Sequence, residues 1–120
     1  MTTVKLTDET YHSKIYLVYN FDDKEGAQFL KENTWETEWN PLHDGVWVRS
    51  RTPGVHYIMI RQRGVDSDTL SLLAHECLHL TFAVLYDAGF KYSEDSEEAF
   101  TYFLQNILFQ CLEVFKKKRK

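Results

Sequence analysis

Five residues past the middle of the chain, His75-Glu76-Cys77-Leu78-His79, combine side chains whose types and spacing could do chemistry. Residues four apart on an α-helix project from one face about one turn, roughly 5–6 Å, from each other, so His75 and His79 can place two imidazole nitrogens on one ion. Glu76, beside the first histidine and one turn before the second, would hold its carboxylate where it can take a proton from a water on that ion. Zinc, with its tetrahedral preference for such ligands, is the expected metal. Residue frequencies alone would produce this pattern in a chain of 120 residues only roughly 2% of the time. The bland alternative is a core helix whose three polar groups are satisfied by hydrogen bonds. It is the weaker one, because a buried helix with two histidines and a carboxylate needs partners for all of them.

A zinc site of this kind takes a third protein ligand and keeps its fourth position for water. No histidine follows His79, and the longer metzincin pattern is excluded because Phe82 and Leu85 stand where it requires glycine and histidine. His12, His43 and His56 lie upstream and read as surface or hairpin residues. The remaining candidates are Asp87, Glu94, Asp95, Glu97 and Glu98. Asp87 is eight residues beyond His79 on the same helix, about 12 Å along its axis and too far to share the ion. Glu94 and Asp95 suit a helix start for capping and dipole reasons alone. Glu97 and Glu98 point about 100° apart, so only one can face a partner helix, and periodicity does not choose between them.

The elements that must position these residues can be read from pattern. Ser13 to Phe21 is β-branched and aromatic and reads as a strand, after which Asp22-Asp23 caps a helix to about Lys31. Asn33 to Asp44 has no clear periodicity and is expected to be a loop that packs its tryptophans on the body or, equally, borders a cleft. Gly45 to Arg51 and Val55 to Arg63 alternate around Thr52-Pro53-Gly54 and read as a β-hairpin. Asp66 or Ser67 then caps a helix running from Thr69 to about Asp87, with Gly89 beyond its end, and Ser93 to Ser96 offers caps for a second helix from about Asp95 to Phe115. The expected fold class is α+β, a small strand-helix-hairpin sheet followed by two long packed helices in one domain spanning 1–120.

Composition narrows the function classes. The apolar content of 43% and aromatic content of 15% suit one compact core, and the net charge of −4 with basic residues gathered only at Lys116 to Lys120 argues against nucleic acid as a partner. Cys77 and Cys111 fall on the two helices and read as reduced, buried thiols. The N-terminus lacks the apolar stretch of a signal peptide and no apolar run reads as long enough for a bilayer, so the expectation is a cytoplasmic protein without membrane contact. Oligomeric state is not written in the sequence.

Taken together, His75-Glu76-Cys77-Leu78-His79, the intervening Gly89 and Ser96-Glu97-Glu98-Ala99-Phe100-Thr101-Tyr102 resemble the gluzincin metallopeptidases. More narrowly, they resemble small phage and prophage proteins and the ImmA/IrrE-like peptidases, over roughly Arg61 to Phe109. The resemblance implies a minimal zincin-like fold, a host cytoplasm if the protein is phage-encoded, and a glutamate before alanine as third ligand, which falls on Glu98. Tyr102, one turn on, is then the candidate to stabilise the oxyanion or to orient Glu98. It also implies that the strand Val55 to Arg63 is the edge that aligns an extended peptide. The function expected is zinc-dependent peptide hydrolysis on a peptide or protein substrate, with Glu76 as general base. The competing reading is a zinc-binding protein without turnover that acts by binding a partner.

Overall fold

The computed structural model describes residues 1–117, which leaves the last three residues of the basic run outside the described residues. The chain forms β1 (Thr2–Leu6), β2 (Lys14–Tyr19), α1 (Asp23–Asn33), β3 (Gly45–Arg49), β4 (Val55–Ile60), α2 (Ser67–Asp87) and α3 (Glu97–Lys116). This is an α+β fold, a four-stranded mixed sheet followed by two long packed helices, as expected from the pattern. The strand order is β1-β2-β4-β3, with β2 and β4 parallel and the other two pairs antiparallel.

Two differences from the sequence expectations matter. β1 was not anticipated; its Val4 and Leu6 face the core and it pairs with β2 from Thr2↔Tyr19 to Leu6↔Ile15. The second concerns the edge. β4 is hydrogen-bonded on both sides and has no free edge, so the Val55 to Arg63 segment cannot align a peptide; the edge strands are β1 and β3, and β3 is the one beside the histidine-bearing helix.

Helix starts follow their caps. Asp22 and Glu25 form a reciprocal capping box at α1, and the Asp66 side chain accepts from the Thr69 N–H at α2. α2 ends where Gly89 adopts φ +95°, with Gly89 N–H donating to Tyr86 O and Phe90 N–H to Leu85 O, the paired bonds of a left-handed helix terminus. α3 begins at Glu97, two residues later than expected. Ser96 occupies its N-cap without capping it, because its hydroxyl bonds back to the Lys91 carbonyl.

The sheet is covered on both faces. Against one, α2 and α3 bury Leu73, Cys77, Leu80, Val84, Phe103, Ile107 and Cys111, and each large apolar side chain so buried contributes about 1.5–3 kcal/mol. Against the other, α1 and the 34–44 loop close a smaller cluster around Val18, Phe21, Leu30, Trp39 and Met59. Trp39 packs edge-on to Phe21 as expected of the loop, but Trp35 is 79% exposed, with the Arg51 guanidinium over its ring. Cys77 and Cys111 are buried and unbonded with sulfurs 4.0 Å apart, and this contact with burial pushes the Cys77 thiol pKa up. Among the described helices, α2 alone is long and apolar enough by composition to cross a membrane, where no such run was expected. Here its apolar residues Leu73, Cys77, Leu80 and Val84 lie in the core.

Candidate metal centre

α2 presents one stripe, Asp68, Ser71, Leu72, His75 and His79, toward the free edge of β3, because positions separated by three, four and seven share a helix face. Between the helix and the edge strand lies an open cleft of about 760 Å³, also lined by Leu42, His43, Asp44 and Trp47. At its base His75, Glu76 and His79 offer ligand atoms that all lie within 4.8 Å of one another, a group that could hold a metal ion.

The separation of the imidazoles tests whether zinc fits. The two Nε2 atoms are 3.2 Å apart. Two nitrogens each about 2.0–2.1 Å from a tetrahedral zinc stand about 3.3–3.4 Å apart, so the side chains need almost no rearrangement to take the ion. One N–H···N bond between neutral rings could span the same distance. For two exposed imidazoles water would serve that purpose equally well, which makes the convergence of both rings beside a carboxylate the more informative feature.

Glu76 is held differently from its neighbours. It is 6% exposed, and its Oε1 accepts the Trp47 backbone N–H at 2.8 Å, leaving Oε2 4.0 Å from His75 Nε2. The β3–β4 register makes this bond available, since Trp47 pairs with Ile58 between hydrogen-bonded neighbours and turns its N–H outward from the free edge. One carboxylate oxygen is therefore fixed by the sheet and the other faces the histidines.

Trp47 also orders the ring that would bind metal. Its indole lies nearly parallel to His79 with centroids 6.3 Å apart and 22° between planes, and nearly parallel to His56, which meets its N–H edge, at 6.2 Å and 25°. The Trp47 Nε1–H donates to His56 Nδ1 at 3.3 Å, which makes His56 the Nε2–H tautomer. Arg49 forms a two-pronged ion pair with Asp87, at 2.6 and 3.2 Å, and ties β3 to the far end of α2. Asp87 is thus engaged by an arginine rather than free for the site.

Burial, and second the charge of Arg49, lower the His56 pKa from 6.5 to about 4. Above pH 6.5 His56 is neutral whether folded or not and adds no pH dependence. As pH falls from 6.5 to 4 the unfolded chain takes up a proton that the fold refuses, so stability falls across that window, by on the order of 3 kcal/mol for such a shift. Urea unfolding of metal-free protein at several pH values is expected to show this slope in the wild type and a shallower one in His56→Gln. Identical slopes would mean that His56 protonates freely in the fold.

The other residues singled out by sequence lie elsewhere. Glu98 and Tyr102 are exposed on the first turns of α3. With Cys77 opposite Cys111, and Phe82 and Tyr86 opposite Phe100, the antiparallel helices set Glu98 roughly 10–15 Å along the axis from the level of His79. The structure therefore does not bring Glu98 or Tyr102 to the histidines, and Glu97 beside them is exposed as well. Sequence reasoning read His43 as a surface or hairpin residue and did not single out Asp68 or Trp47, yet all three line the cleft. Asp68, seven residues before His75, carried a legible signal in its spacing. His43 is the one upstream histidine on the cleft wall; His12 is exposed between β1 and β2, and His56 is buried in β4. Comparison of this chain with family models, curated proteins and solved structures finds no match.

Proposed function

We propose that the protein is a zinc-dependent peptidase that cleaves an extended peptide held in the cleft between β3 and α2. The observation that carries this reading is the 3.2 Å convergence of the His75 and His79 nitrogens beside a buried, strand-anchored Glu76. When bound, zinc supplies Lewis acidity that polarises a carbonyl and acidifies a water. Glu76 accepts the proton on its free oxygen and delivers it to the leaving nitrogen, while the Trp47 N–H holds the other oxygen still. Trp47 keeps the His79 ring in place by stacking, and Leu42, 88% exposed at the cleft, offers an apolar contact to the substrate.

For the third ligand, the resemblance to gluzincins favours Glu98, with Tyr102 beside it. For Glu98 to act, the Phe90 to Ser96 connection must let the first turn of α3 approach His79. The cleft itself favours a different donor, since His43 and Asp68 already line it, together with Asp44, whose carboxylate also pairs with Arg61 at 3.3 Å. A carboxylate with no ligand duty has no evident use beside the histidines, and this favours chemistry over a zinc protein that only binds a partner. Zinc-loaded protein is expected to cleave members of an unbiased peptide mixture, read by mass spectrometry, and to stop on chelation. Intact peptides after prolonged incubation with zinc-loaded protein would leave the partner-binding reading in its place.

A further inference from the structure

A second cavity, of about 280 Å³, lies across β3 from the metal cleft. The two share His43, Val46 and Trp47 in their walls, so little more than the edge strand divides them. Its volume falls just under the roughly 300–1,000 Å³ of a whole small-molecule site and suits one long side chain. Leu30, Trp39, Val46 and Val48 supply apolar walls, and Glu36 and Glu38 are both exposed where they line it. No lysine or arginine lines it, and among the described residues neither glutamate forms an ion pair.

We infer that this cavity selects a lysine or arginine side chain of the peptide, an inference that rests on the peptide-in-cleft reading above. The alternation of β3 supports the link between the two cavities. Val46 and Val48 pack with the α1-side cluster, whereas Trp47 packs with the α2-side cluster and the candidate metal group. A peptide strand laid along the outer edge of β3, where Glu76 already takes the Trp47 N–H, continues that alternation, so a residue whose neighbour faces the histidines turns its own side chain toward the second cavity. A long basic side chain matches what it finds there, its methylenes against Leu30, Trp39 and the valines and its cation at the two carboxylates. An acidic side chain would meet two like charges instead.

The test measures binding separately from cleavage. Zinc-loaded Glu76→Gln protein is titrated with short fluorescent alanine-based peptides that differ at one position, lysine, glutamine or glutamate, and the same peptides are offered to the wild type for cleavage. The lysine peptide is expected to bind about tenfold more tightly than the glutamate peptide, with glutamine between, and high salt should narrow the difference. In Glu36→Lys/Glu38→Lys the order should reverse. Equal binding of the three peptides, no binding of any, or an unchanged preference in the double variant would overturn the inference. Lysine-selective binding with no cleavage by the wild type would leave the inference standing and remove the peptidase assignment instead.

Discussion

Replacing Glu76 with glutamine is expected to leave zinc bound and to lower peptide cleavage by roughly a hundredfold to ten-thousandfold, the contribution of a well-placed general base. The substitution keeps size and shape, so the Trp47 N–H can still donate to the side-chain oxygen and the anchor to β3 survives. What disappears is the second oxygen's ability to accept a proton. Metal analysis and cleavage rates on one preparation separate the roles. Loss of zinc would make Glu76 a ligand, and near wild-type turnover would place the base elsewhere.

Substituting alanine for His75 or His79 should have the larger effect on metal. Removing groups that merely orient a ligand costs 10- to 100-fold in affinity, and losing one of only two converging imidazoles should exceed about 100-fold in zinc affinity. Both histidines are exposed, so the fold should tolerate either change within about 0.5 kcal/mol when metal is absent. The same titration identifies the third donor. Glu98→Gln weakens zinc by at least tenfold if α3 supplies the ligand, with Glu97→Gln silent. If the cleft wall supplies it, Glu98→Gln is silent and the loss appears in His43→Ala, Asp44→Asn or Asp68→Asn. Unchanged affinity in both histidine variants would remove the proposed site altogether.

The group His75-Glu76-His79 was legible because its geometry is local: a helix converts a spacing of four into proximity without help from the rest of the fold. The helix limits were legible for the same reason, through Asp22, Asp66 and Gly89. The position of Glu98 was not. Helical periodicity gives the face on which a residue sits, but its level against a neighbouring helix depends on which side chains interlock, here Cys77 with Cys111 and Phe82 with Phe100. Strand order escaped for a related reason. The parallel pairing of β2 with β4 joins residues about forty positions apart and turns β4 inward, something its alternation cannot announce. β1 has only Val4 and Leu6 facing inward, too short an alternation to stand out from an N-terminal tail. Trp47 read as an ordinary hairpin residue, and only the placement of α2 along the edge made it the residue that meets both Glu76 and His79.

The central claim is that the two imidazoles form one metal site, and titration of metal-free protein with zinc, followed by calorimetry and thermal unfolding, tests it most directly. Saturation at one zinc per chain is expected, and free zinc at a hundred times Kd should add about 2.7 kcal/mol of stability and raise Tm by several degrees. Protein that takes up no zinc and melts at the same temperature with or without it would contradict the account.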